Sequence, residues 1–385
     1  MLLKNLCSFS KGIQIKRDLT SIDYVIPYLH YGDLYKKYNV KLNLNEIHSE
    51  IIKVDNSFYN SKYQINNNDI VMNLTSENYD DLGKCIIVKN SENKPFLAGM
   101  ETHLIKIHSS SIIPEYLNYY FESDSFLKCI QQFITGMKVF RVKPTDILNI
   151  DISLPNLQYQ QHIVDIIGSL DDKIESNNKL LEKCYIFLNL NMKKLLIGKD
   201  KKIISSFDDI EIISSGIDKF NSSKIYLDTS CVSDNSIVDI SNKVTYTDRP
   251  SRANMKPIKN SVWFAKLKSS PKHIIVKDYS DEILDNCIFS TGFLGIKIDN
   301  LKFNLLSTYF TSDVFEKEKD SLSIGATMQS INNVTFKGMY IPDFSPTDYI
   351  IFNNLSESIL KLIYETELEN IKLQQLKLNY LTKFF

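Results

Sequence analysis

The chain has 385 residues, 43% hydrophobic and 24% charged, with a formal net charge of −1. That length accommodates two ordinary domains with separate cores, and the composition excludes a disordered or fibrous protein. The near-zero charge excludes a uniformly basic nucleic-acid binder, so any DNA surface must be local.

In chain order, a glycine turn at Lys11-Gly12 is followed by the basic pair Lys16 and Arg17, with Asp18 beside it, and by YLHYGDL at 28–34. NDIVMN at 68–73 reads as a polar turn entering an apolar strand, and IKI recurs as strand sequence at 105–107. A helical stretch then reaches a turn at Gly136. Lys138, Arg141 and Lys143 follow it, near Asp146. ISLP at 152–155 is a short extended segment ending in proline.

The spacing next predicts a long helix over about 158–196. Ile163, Ile167, Leu170, Ile174, Leu181, Cys184, Leu188 and Leu195 recur in steps of four and three, with Asn177 and Asn191 in the two vacant places. At 1.5 Å per residue such a helix is about 60 Å long. Gly198 supplies its stop before the linker KDKK.

The same landmarks then return in the same order: a turn at Ser215-Gly216, YLDTSCV at 226–232, NSVWFA at 260–265, IKI at 296–298, Gly325 and MYIP at 339–342. The offset drifts from 198 to about 187 residues, as a few loop deletions would make it, so the chain reads as an internal repeat. A second long helix opens with the capping sequence Ser345-Pro346-Thr347-Asp348. Its seam reads Leu355, Ile359, Leu362, Thr366, Leu373, Leu376 and Tyr380, interrupted by Glu369. The nearest partner for each helix is the other.

Between residues 243 and 277 stand Lys243, Arg249, Arg252, Lys256, Lys259, Lys266, Lys268, Lys272 and Lys277 against the single acid Asp248, with Tyr246 and Trp263 among them. Such a cluster suits phosphate neutralisation, and the arginine fork suits guanine. Candidate DNA contacts are therefore Arg249, Arg252, Lys256, Lys259, Lys266 and Lys268, with Lys16, Arg17, Lys138, Arg141 and Lys143 as their counterparts in the first half. No phosphate loop, GxGxxG turn, HExxH, GxSxG elbow or NPPY motif occurs, so the chain reads as no enzyme, with no metal or cofactor of its own. The six scattered cysteines form no CxxC pair and fit a reducing compartment. No run approaches the roughly 18 apolar residues of a membrane span, and the sequence predicts a cytoplasmic protein.

IPYLHYGDLY at 26–35, IYLDTSCV at 225–232 and PSRANMKPIKNSVWFAKL at 250–267 resemble the target-recognition domains of type I restriction-modification specificity subunits. ISLPNLQYQQHIVDIIGSLDDKIESNNKLLEK at 152–183 is similar to the helical region that follows such a domain. The resemblance implies an α/β fold of two repeated recognition domains, 1–155 and 201–342, joined by antiparallel coiled-coil helices within 156–200 and 343–385. It further implies double-stranded DNA, two modification subunits and restriction subunits as partners. Methylation would use S-adenosylmethionine on the modification subunits. The second helical region reads IPDFSPTDYIIF where the first has LPNLQYQ, a departure from the pattern. The alternative is a coiled-coil adaptor that binds protein and no DNA.

Overall fold

Runs of β-branched and aromatic residues in each half pair into short strands, because a pleated surface buried on both faces gives every side chain a packing partner. The computed structural model describes residues 1–36, 41–44, 51–326 and 328–385. It divides into two compact units, Met1–Lys173 with Gln375–Phe385, and Ile174–Gln374.

In the first unit, β1 (Cys7–Lys11), β2 (Lys41–Asn43), β3 (Ile70–Asn73), β4 (Cys85–Lys89) and β5 (Thr102–Ile107) form one sheet in the order β1-β5-β3-β4-β2. Only β2 and β4 run parallel. Alternation along the strands feeds two cores. Ile70, Met72 and Ile105 pack with Leu117, Phe121 and Phe126 of α1 (Pro114–Glu122) and α2 (Asp124–Gln131), while Val71, Ile86 and Leu104 face Leu29 and Phe96. Ser123 caps α2, accepting from the Phe126 amide.

In the second unit, β6 (Ile210–Ile212), β7 (Ser261–Ala265), β8 (His273–Val276) and β9 (Phe293–Ile298) pair in the order β6-β9-β7-β8. This repeats β1-β5-β3-β4. Val262, Phe264 and Ile296 pack with Phe303, Phe310 and Phe315 of α3 (Asn300–Phe310) and α4 (Asp313–Ser321), and Trp263 and Ala265 enter the opposite core. Smaller features repeat too. Asn68 and Asn260, at the turns entering β3 and β7, both have positive φ, 65° and 54°, a conformation asparagine tolerates. Tyr28 lies opposite Leu97 in a parallel pair, as Tyr226 lies opposite Ile288.

Two long helices, Leu157–Leu196 and Pro346–Phe384, each contribute to both units. Gly198 at φ 72° ends the first. Ser345 and Asp348 open the second with a reciprocal cap, the Ser345 amide donating to Asp348 at 2.7 Å and the Asp348 amide to Ser345 Oγ at 3.3 Å. In the first unit Ile163 and Ile167 share a core with Tyr380, Leu381 and Phe384. In the second, Leu181, Leu188 and Met192 share one with Phe352, Leu360 and Ile363. Early turns of one helix meet late turns of the other, so the pairing is antiparallel. Leu170 and Ile174 are half-buried.

The seam of the C-terminal helix differs from the sequence expectation by one residue. Leu362 and Leu376 are 40% and 41% exposed, and Leu355, Ile359 and Leu373 are only half-buried. The row that turns inward is Ser356, Leu360, Ile363, Glu367, Asn370, Lys377 and Leu381, and of the expected seam Thr366 is buried as well. The cause is its polarity: Ser356, Glu367, Asn370 and Lys377 break the apolar periodicity there, and the neighbouring row of leucines mimics a seam. Each buried polar group has a partner, except the Ser356 hydroxyl. Tyr185 donates to Glu367 at 3.1 Å. Asn177 donates to Glu369 at 2.7 Å and to Asn370 at 2.9 Å, and Asn370 to Asn178 at 2.9 Å. Lys377 bridges Glu122 at 2.9 Å and Asp171 at 2.8 Å.

Candidate nucleic-acid interface

Each glycine turn builds a tight hairpin. Thr135 and Arg141 exchange both backbone hydrogen bonds, at 2.9 and 2.8 Å, and Ile324 and Ser330, each 189 residues further on, do the same at 3.1 and 3.0 Å. Gly136 and Gly325 sit at φ 109° and 138°. A Cβ there would meet the carbonyl oxygen of Val139 at 2.1 Å or of Met328 at 2.4 Å, so only glycine closes the turn. A third strand completes each platform, with Thr75 opposite Arg141 and Leu267 opposite Ser330. Directly paired residues project from the same face. The first unit therefore presents the row Thr75, Arg141, Thr135, and the second presents Leu267, Ser330, Ile324.

Of the basic candidates in the first half, Lys16, Arg17, Lys138, Arg141 and Lys143 are all exposed. In the second half Arg252 and Lys259 are exposed, and Arg252 makes no side-chain hydrogen bond or ion pair among the described residues. The others are engaged to differing degrees. Lys256 pairs with Asp218 at 2.6 Å, and Lys268 donates to Gln329 Oε1 at 2.7 Å, both on the surface. Lys266 is partly buried and donates to the Thr291 carbonyl at 2.9 Å, with burial lowering its ammonium pKa. Arg249 donates to the Ala253 carbonyl at 2.8 Å and stacks 5.1 Å from the Tyr246 ring centroid, which ties down its own loop.

The basic run from 243 to 277 is thus not one surface. β7 runs through it fully buried, and Lys277 is buried too, bonded to Asn304 at 2.8 Å and Glu357 at 3.3 Å. A charge count along the chain cannot register a central strand that sends its flanks to different faces.

Residues 1–184 match the family model described as the type I restriction modification DNA specificity domain. The chain thus carries, within its first half, the type I restriction modification DNA specificity domain. It has the fold of the type-I restriction-modification system S subunit from M. genitalium, whose crystal structure is 13% identical, with the match covering 100% of this chain and 95% of that one at a TM-score of 0.52. Two further solved structures match over 100% of this chain. They are the HsdS subunit from Thermoanaerobacter tengcongensis (13% identity, 95% of that chain, TM-score 0.33) and one described for complex assembly and conformational transition of the type I R-M system (14% identity, 96% of that chain, TM-score 0.37). A comparison with curated proteins finds no match. The specificity family recognises DNA and is non-catalytic.

Among the described residues of this specificity subunit, no group of three or more His, Cys, Asp or Glu could hold a metal ion, and no helix is long and apolar enough to cross a membrane. The surface features that sequence reasoning missed are apolar. Met137 is 95% exposed on the first hairpin, and Leu267, Ile324 and Met328 are 43%, 59% and 74% exposed at the second. Only the alignment of Gly136 with Gly325 pointed toward them.

Proposed function

We propose that this specificity subunit reads a two-part duplex target, residues 1–155 contacting one half and residues 201–342 the other. The duplicated glycine hairpin supports this reading, because two copies of one exposed platform suit two half-sites. Arg252, Lys259, Lys256, Lys268, Arg249 and Lys266 would serve the second half-site, and Lys16, Arg17, Lys138, Arg141 and Lys143 the first. With a net charge of −1, affinity rests on these local clusters. The helical regions 156–200 and 343–385 would set the distance between the half-sites and dock two modification subunits, which restriction subunits then join. S-adenosylmethionine would bind the modification subunits, in the cytoplasm, and this chain would carry no cofactor.

Sequencing of methylated bases in cells with and without the chain tests the reading: a split target should vanish with the chain. Inserting seven residues after Leu181 and seven near Glu369 keeps the seam in register and lengthens the helices by about 10 Å. That equals about three base pairs at about 3.4 Å each. The same half-sites should reappear with a longer gap. Altered half-sites, or methylation at the original spacing, would refute the ruler.

A further inference from the structure

The two hairpin platforms share a backbone and differ in chemistry. In the first, Arg141 stands exposed at the centre of its row, with Lys138 and Lys143 exposed beside it. Thr135, at the end of the row, donates its hydroxyl to the Arg141 carbonyl at 3.3 Å, and the Arg141 guanidinium makes no side-chain hydrogen bond or ion pair among the described residues. In the second, the central position is Ser330, flanked by the exposed side chains of Leu267 and Ile324, with Met328 on the hairpin and Lys268 adjoining. Apolar side chains exposed to this extent in one row serve no core, and their basic surroundings suit a polyanion. Two nearby carboxylates are occupied. Asp81 pairs with Lys84 at 2.7 Å, and Asp320 accepts from the Ser269 amide at 3.0 Å.

Base edges in the major groove differ in the same two ways. Guanine offers O6 and N7 to an arginine fork, and thymine offers a methyl group to apolar contact. We propose that the two hairpins are the base-reading elements, Arg141 reading a guanine in one half-site and Leu267, Ile324 and Met328 contacting thymine methyls in the other. This rests on the bipartite reading above. The two half-sites therefore differ in composition because matched positions of one scaffold carry different side chains. Gly136 and Gly325 hold the loops in shape while the neighbouring positions vary.

The test uses the chromosomal gene in its own host, with methylated sites mapped by sequencing. Arg141→Ala and Arg141→Lys should both relax one G·C position of one half-site, with discrimination falling about 10-fold or more. Lysine keeps the charge and loses the fork, so rescue by Arg141→Lys would mean a phosphate contact and overturn the assignment. Replacing Leu267 with Thr, Ser330 with Arg and Ile324 with Thr transplants the first row into the second unit. The second half-site should then gain a guanine where it had a thymine. Arg141, Leu267 and Ile324 are exposed and Ser330 is half-buried, and unchanged thermal unfolding of the purified variants verifies folding. If folded variants methylate the wild-type sequence unaltered, the hairpins do not read bases, although the bipartite reading stands. If the wild-type chain supports no split methylated target, the bipartite reading itself fails.

Discussion

Trp263 on β7 lies directly opposite Gly295 on β9, its indole so close that a Cβ on the glycine would come within 2.4 Å of the ring. At the matching place in the other unit, Val71 on β3 lies opposite Leu104 on β5. One site is filled by a very large and a very small residue, the other by two of middling size, and both interiors close. Gly295→Ala should destabilise the protein by about 1 to 3 kcal/mol through overpacking. Gly295→Leu should cost more, and adding Trp263→Val, which copies the first unit's pair, should recover at least half of the Gly295→Leu loss in urea denaturation. A neutral Gly295→Ala would show that the sheet can spread there.

Lys377 is buried between Glu122 and Asp171, and Tyr119 donates to Asp171 at 2.9 Å. Burial lowers the lysine pKa, but the two carboxylates more than offset it and hold the ammonium charged. Burial raises Glu122 from 4.5 to about 7, against the pull of Lys377. Its carboxylate form is therefore disfavoured by folding, and stability present below about pH 4.5 is lost as pH rises toward 7. Lys377→Met strands two buried carboxylates and should cost about 3 to 5 kcal/mol near pH 8. The loss should shrink at pH 6, where Glu122 takes up a proton. Denaturant titrations at the two pH values measure this, and a loss that does not depend on pH would refute it.

Glu367, facing Tyr185, is a second pH-sensitive group. Burial raises its carboxyl from 4.5 to about 8, while the Tyr185 hydroxyl opposes the shift. Its contribution to stability is greatest below pH 4.5 and is lost as pH climbs through 8. Glu367→Gln keeps the shape and removes the titration. The variant and the parent should unfold alike near pH 4.5, and the variant should be the more stable near pH 9.

The one-residue displacement of the C-terminal seam is testable at adjacent positions. Ile363→Ala should cost about 2 to 5 kcal/mol, as core truncations do. Leu362→Lys should change stability by about 0.5 kcal/mol or less, as surface substitutions do. The reverse order in thermal unfolding would restore the seam drawn from hydrophobic spacing.

The repeat, the central helix and the cap at Ser345 were legible because they rest on local signals: glycine turns, a heptad row of Ile and Leu, and a Ser-x-x-Asp cap. What escaped depends on pairing across the chain. Nothing near Lys377 in sequence announces that Glu122 and Asp171 wait for it, and nothing near Ser330 announces Leu267. The basic run between 243 and 277 misled for the same reason. Its residues are neighbours in sequence, but β7 separates them in space, with Lys277 turned into the core and Arg252 turned out.

The asparagine layer formed by Asn177, Asn178 and Asn370 acts as a notch in an otherwise slippery track. Leucine-rich seams tolerate sliding by a heptad, because one apolar knob replaces another. A slide of seven residues here would set Asn177 against Ile363, stranding its amide at about 1 to 3 kcal/mol and leaving Asn370 without its acceptor as well. The helix pair can therefore latch at one setting only, and a second copy of the chain offering the same helix must find the same notch before it can compete.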